Sequence, residues 1–246
     1  MEYIQKNDRN HILDTPEMYM GPIILEKSQT YIINIDNTKI EYIEILYSRG
    51  LLKIIDEILV NALDQWKIYQ NVNIQVIFDK KTGEITIYNS GSGFNVYLKK
   101  SILTNKEIYT PELLTTEPRS GSNFNDDYKT TGGINGYGSI LTNVYSKKFI
   151  IETVNKDVYY YQIMSDNMDP NKIQKPIIIA RDINDLKWKD KSKYQAPKKW
   201  NNLSNKNRNI HTTIKFIPDY KRFGYKKLTL EILDLLYRII KTRLYF

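Results

Sequence analysis

The 246-residue sequence has no cysteine and only two histidines, His11 and His211, which excludes disulfides and thiolate metal sites and leaves little for a zinc or Ser/His/Asp centre. Hydrophobic residues make up 41%, enough to bury the core of one large or two small domains, and no apolar run approaches the ~18 residues of a membrane span or resembles a secretory signal. The net charge of +8 is concentrated, with nine Lys or Arg against three Asp between Arg181 and Arg208. These bounds point to a soluble intracellular protein with no membrane partner, in which any metal is an oxygen-ligated magnesium. The abundance of Ile, Asn, Lys and Tyr, whose codons are AT-rich, suggests an AT-rich genome such as that of some protozoa or large DNA viruses.

An amphipathic helix is expected from about Leu51 to Ile68, because Leu52, Ile55, Leu59, Ala62, Leu63 and Trp66 follow the helical repeat. A hairpin follows: Val72, Ile74, Val76 and Phe78 alternate, Asp79 to Gly83 turns the chain, and Ile85 and Ile87 alternate again. After the glycine-rich segment TTGGINGYG, the run SILTNVYS reads as a short helix. FIIETV and VYYYQIM form a second strand pair, and TTIKFIP a later strand. Between them, the Lys/Trp/Asn-rich stretch of about 182–209 reads as a long loop. From Leu228 to Phe246 the pattern is helical, with Leu230, Leu233, Leu236 and Ile240 as a core stripe, and its uncapped ending suggests a longer protein.

Three segments carry chemistry. In DEILVNALDQ, Glu57, Asn61 and Asp64 fall within roughly 60° of one another on a helix, opposite the apolar stripe. Glu57 could accept a proton from water, and the Asn61 side-chain oxygen could ligate magnesium. In YNSGSGF, which follows a strand, Gly91 and Gly93 permit positive φ and close approach of a ligand, while Asn89 offers a donor and an acceptor to a heterocycle edge. In TTGGINGYG the spacing G-G-x-x-G-x-G is neither a P-loop nor a dinucleotide fingerprint, and a polar loop rather than a buried strand precedes it. Its bare backbone N–H groups could still cradle phosphate oxygens. Six of the eleven glycines lie in the last two motifs, and both follow the helical E-x-x-x-N at domain-scale spacing.

In that order, DEILVNALDQ, YNSGSGF and TTGGINGYG resemble the N-terminal ATPase domain of eukaryotic-type DNA topoisomerase II, a member of the GHKL superfamily. The resemblance extends to YIQKNDRNHILDTPEMYMGPI, YTPELL and IKFIPDYKRF. It implies a Bergerat-type α/β fold, a two-layer sandwich with helices on one face of a mixed sheet, holding ATP and Mg2+. Residues 1–20 would be an N-terminal arm and 21–246 the GHKL domain, with a basic insertion at about 181–208; transducer and DNA-cleavage modules would lie outside this chain. By position, Glu57 would be the base and Asn61 the metal ligand, with Asp64 beside them. Asn89 falls where the superfamily usually has an adenine-reading Asp; Gly91 and Gly93 would shape the adenine side. Ser122 and Asn123 match the lid pair at ribose and phosphate, Gly133, Asn135, Gly136, Tyr137 and Gly138 would wrap the phosphates, Thr212 would support the water and adenine network, and Tyr3 would reach the partner protomer's nucleotide. Homodimerisation on ATP, DNA as substrate, and a nuclear or viral-factory location follow from the same resemblance.

The chain also departs from the family. Ile134 stands where an Arg is usual, and Ser139-Ile140 where Ala-Lys is usual, so two phosphate-side cations are missing; PRSGSN replaces the lid sequence LLTSSN. The basic insertion interleaves lysines with Trp188, Tyr194 and Trp200, a composition that suits either a DNA-facing patch or a solvated loop. His11 and His211 read as structural. The alternatives to a topoisomerase gate are an ATP-driven chaperone or repair protein of the same superfamily, or a basic nucleic-acid-binding module with no nucleotide site; a sensor histidine kinase fits less well, because no phospho-acceptor histidine precedes the E-x-x-x-N helix.

Overall fold

The first half of the molecule is organised by one long helix. The computed structural model describes residues 7–69, 71–118, 136–156, 158–180, 209–226 and 228–244. Tyr3, Ser122, Asn123, Gly133, Ile134, Asn135 and the basic stretch 181–208 lie outside them. Before the long helix come α1 (Asp8–Asp14), α2 (Glu17–Met20), β1 (Glu26–Ile33) and β2 (Ile40–Tyr47). The helix itself, α3 (Arg49–Tyr69), starts where Ser48 Oγ accepts the Leu51 N–H at 3.1 Å, satisfying one of the donors that a helix start leaves unpaired. It buries Leu51, Leu52, Ile54, Ile55, Ile58, Leu59 and Ala62, a wider apolar face than the expected stripe. Trp66, assigned to that stripe, is 52% exposed, because the last turns of α3 run beyond the core to a shallow groove beside the C-terminal helix.

The expected hairpin forms as β3 (Ile74–Phe78) and β4 (Ile85–Ser90). Its turn is closed by Asp79, whose Oδ1 accepts the N–H groups of Lys81 (2.7 Å) and Thr82 (3.1 Å), while Gly83 takes φ +72°. A small ladder, β5 (Leu98–Lys100) with β6 (Glu107–Tyr109), leads into α4 (Thr110–Thr116). Then come α5 (Gly138–Val144), β7 (Ser146–Asn155), β8 (Val158–Ser165), β9 (Ile177–Ala180), β10 (His211–Pro218) and α6 (Leu230–Arg243).

Six strands form one sheet in the order β3-β4-β10-β7-β8-β9. Every described pairing in it is antiparallel, which makes the sheet more uniform than the mixed one expected. Helices α3 and α5 pack on one face, so the α/β two-layer arrangement stands. The strand register aligns Ile85, Phe216 and Phe149 in one row across β4, β10 and β7, and Ile87, Ile214 and Ile151 in the next. All six are buried beneath the helices. Because side chains on a strand repeat every second residue, the next row on the same face is Asn89, Thr212 and Thr153. The core face therefore turns polar at one end of the sheet.

The two-stranded ladder of β1 and β2 was not foreseen from the sequence, and neither were α1, α2, α4 and β9. Helix α6 holds that ladder: Thr242 Oγ1 accepts the Ile33 N–H at 2.6 Å and Arg238 Nη1 donates to the Ile33 carbonyl at 3.3 Å. Leu233, Leu236, Ile239 and Ile240 of α6 are buried, whereas Leu230, expected in the stripe, is 57% exposed in the first turn. The region expected to form an arm is docked over its described part, with Ile12 fully buried and its carbonyl accepting the Tyr145 hydroxyl at 2.8 Å. Both histidines are structural. His11 Nδ1 meets the Tyr19 hydroxyl at 2.8 Å, and His211 is buried against Tyr88 with its Nδ1 2.6 Å from the Asn209 carbonyl. No helix among the described residues is long and apolar enough to cross a membrane.

Phe216 lies in the centre of the sheet with no exposed surface. Phe216→Ala should cost about 3–5 kcal/mol of stability, as truncation of a buried aromatic does, measured by denaturant unfolding; a loss below about 1 kcal/mol would show that the core is not centred there.

Candidate functional site

At the polar end of the sheet, Thr153 is a junction. Its Oγ1 accepts the Phe94 N–H at 2.9 Å, donates to the His211 carbonyl at 2.8 Å and lies 3.2 Å from Thr212 Oγ1. Asn89 is buried next to Thr212 in the register, and its Nδ2 donates to the Ser90 carbonyl at 3.0 Å. The loop after β4 is pinned from two sides, to β7 through Phe94 and to α3 through Ser92 Oγ, which donates to Gln65 Oε1 at 3.0 Å. Gly93 has φ +65°, and a Cβ there would stand 2.1 Å from the Val154 carbonyl oxygen. Gly91 has φ +135°. Only glycine allows both that conformation and that approach.

Facing this loop's end of the sheet, α3 presents Glu57, half-buried, and Asn61, exposed one turn later. Helix α5 begins directly against them. A Cβ on Gly138 would lie 2.2 Å from Glu57 Oε2 and 3.0 Å from Glu57 Cβ, so the glycine lets α5 start here without displacing the Glu57 carboxylate. Asn61 Nδ2 donates to Ser139 Oγ at 3.3 Å, tying this turn of α3 to the start of α5 through the amide nitrogen. Gly136 has φ +63°, and Tyr137 packs on Tyr19 at 5.7 Å between ring centroids. Among the described residues no group of three or more His, Cys, Asp or Glu gathers to make a metal cage. An amide oxygen suits magnesium when the ion takes its other ligands from phosphates and water.

Charges on α3 are paired. Lys53 forms an ion pair with Glu57 Oε1, one turn away, and Arg243 of α6 pairs with Asp56. Burial pushes the Asp56 carboxyl up to about 6; Arg243 and Lys53 pull it down and Glu57 pushes it further up. Deeper in, Gln162 Nε2 donates to Glu112 Oε2 at 2.6 Å, and burial raises the Glu112 carboxyl.

Of the residues singled out from the sequence, the fold brings Glu57, Asn61 and Gly138 together where α3 meets α5, and Asn89, Gly91, Gly93 and Thr212 together at the polar end of the sheet; Gln65 of α3 touches the second group, and Gly136 and Tyr137 immediately precede α5. Asp64 lies one turn beyond Asn61 on α3. It is 8% exposed and forms an ion pair with Lys67 at 3.7 Å. Ile140 is 1% exposed and packs in the core, so position 140 supplies no cation in this chain. Sequence reasoning missed Thr153, whose threonine among the apolar residues of FIIETV was the available signal, and Gln65, which closes DEILVNALDQ. It also missed the Lys53 and Arg243 pairs.

No family model matches the chain. It is 36% identical over 242 residues to DNA topoisomerase 2 of Acanthamoeba polyphaga mimivirus, covering 95% of this chain and 17% of that protein. It is 33% identical over 241 residues to DNA topoisomerase 2 top-2 of Caenorhabditis elegans, covering 96% and 14%. Among solved structures it aligns with the ATPase region of Saccharomyces cerevisiae topoisomerase II bound to ICRF-187, with a TM-score of 0.75 and 29% identity, covering 96% of this chain and 56% of that one. It aligns with the ATPase and transducer domains of DNA topoisomerase II from Balamuthia mandrillaris with a TM-score of 0.77 and 30% identity, covering 96% and 55%. The chain thus spans less than a fifth of these curated relatives and just over half of these solved chains.

Asp56 holds its proton to higher pH in the folded chain, about 6, than the usual 3.8 of the unfolded one. Its contribution therefore favours the native state below the unfolded value and is lost as pH rises through the folded value. Asp56→Asn removes that component. The stability of wild type minus that of the variant, from urea unfolding, should fall by on the order of 1–3 kcal/mol between pH 4 and pH 7; a difference that does not change with pH would contradict the assignment.

Proposed function

Because the chain belongs to the DNA topoisomerase II family and aligns with its ATPase region, we propose that it is the ATP-binding and ATP-hydrolysing gate of a type II DNA topoisomerase. The observation that supports this most is the seating of Gly138 against Glu57, which puts a carboxylate, an amide oxygen and a bare backbone turn at one place. In this reading Glu57 is the base that orients the attacking water and takes its proton, and Asn61 Oδ1 is the protein ligand of Mg2+. Bound Mg·ATP supplies the phosphoanhydride bond and neutralises charge on its own phosphates. The chain contributes chiefly position and fixed dipoles, as in other phosphoryl transfers.

Asn89 would read the adenine edge, with Gly91 and Gly93 leaving space for the ring and Thr212, held by Thr153, supporting the buried water and adenine side. The backbone of Gly136 to Gly138 would border the phosphates. Position 140 is apolar and buried, so more of the phosphate charge must be met by main-chain N–H groups than in relatives with a lysine there. ATP binding would bring two copies together as a homodimer, closing on a DNA duplex, and hydrolysis would reopen the gate, in the nucleus or in a viral factory. Passage of one duplex through another is proposed for the whole protein.

Glu57→Gln separates binding from chemistry. The variant should bind a non-hydrolysable ATP analogue with Mg2+ as wild type does, while turnover falls by roughly 100-fold or more, the contribution of a general base. Turnover close to wild type would remove Glu57 from that role.

A further inference from the structure

Lys53 is assigned no part by the sequence motifs, yet it is the cation that the fold pairs with Glu57. Two carboxylates lie within its reach on the same helix, Asp56 at i+3 and Glu57 at i+4, and both spacings bring side chains together. The choice between them is made elsewhere. Arg243, in the last turn of α6, pairs with Asp56, and Lys53 pairs with Glu57 through Oε1. The other carboxylate oxygen, Oε2, is the one that faces Gly138. One oxygen of the carboxylate is thus tied back along α3 and the other is presented to the glycine turn.

We propose that Lys53 is a positioning residue for ATP hydrolysis: by holding Glu57 Oε1 it fixes the rotation of the carboxylate so that Oε2 faces the attacking water, and Arg243 makes this possible by engaging Asp56. The chemistry of the pair suits the task. Lys53 is half-exposed on a flexible stem, so its ion pair contributes little to folding but is enough to select one orientation of a carboxylate.

This inference rests on Glu57 being the base, and the experiment separates the two. Lys53→Met and Lys53→Arg are compared with wild type and Glu57→Gln in steady-state hydrolysis by the complete protein, and in calorimetric binding of Mg2+ with a non-hydrolysable ATP analogue to this chain. Lys53→Met should lower kcat by roughly 3- to 5-fold, about the most that losing a half-exposed ion pair can shift the orientation of the carboxylate, with KM and analogue Kd within about twofold. Its melting temperature should shift by no more than roughly 2–4 °C. Lys53→Arg, which keeps the pair, should recover most of the rate. Unchanged kcat in Lys53→Met, while Glu57→Gln is inactive, would overturn this inference and leave the base assignment intact. A Kd weakened as much as kcat, or no recovery with arginine, would also overturn it, since the lysine would then act on the nucleotide or on folding. Retained turnover in Glu57→Gln would instead remove the reading on which it rests.

Discussion

The first turn of α5 comes so close to Glu57 that a methyl group on Gly138 would push the carboxylate aside, and the architecture of the site follows from that close approach. It sets how near the glycine-rich segment comes to α3, and so where a ligand bound between them meets the acid. Glu57 is held from behind by Lys53, and Asn61 is tied through its amide nitrogen to the Ser139 hydroxyl. A site of this kind works by fixing groups before a ligand arrives, since catalysis of phosphoryl transfer is largely positioning and electrostatics. The helix pair that carries these groups is in turn set on the sheet by buried Ile and Phe rows.

The second wall of the site is made by the sheet. Two cross-strand rows of buried apolar side chains give way to Asn89, Thr212 and Thr153 on the same face, with no change in register. Polar residues at those positions would ordinarily weaken a core, and here they are held by specific partners, Thr153 by three of them. The loop after β4 crosses this row closely enough that Gly93 nearly touches the Val154 carbonyl. A ligand at this end would meet buried polar groups on one side and α3 on the other, an arrangement that would suit reading a heterocycle while its charged tail reaches Gly136 and Gly138 at the start of α5.

Much of this was legible in the sequence because it is local. The helical spacing of DEILVNALDQ, the alternation on either side of Asp79 to Gly83, and the glycine clusters each express a geometry that neighbouring residues enforce among themselves. What escaped depends on distant partners. Arg243 finds Asp56, and Thr242 finds Ile33, through contacts across nearly the whole chain. The ladder of β1 and β2 escaped because EKSQTYII and IEYIEILY leave Tyr31, Tyr42 and Leu46 exposed and show no clean alternation. Trp66 and Leu230 kept the helical period but sit where their helices run past the core, so periodicity gave the right face and the wrong depth.

The central claim is that α3, the loop after β4, the Asn89–Thr212–Thr153 row and the start of α5 form one nucleotide site. Backbone amide NMR of the chain, titrated with Mg2+ and a non-hydrolysable ATP analogue, tests it directly. Saturable shifts should concentrate at Asn61, Asn89, Gly91, Gly93, Thr153, Thr212 and Gly138 and spare the opposite end of the sheet around Asp219. Shifts centred near Asp219, or none at saturating analogue, would contradict it.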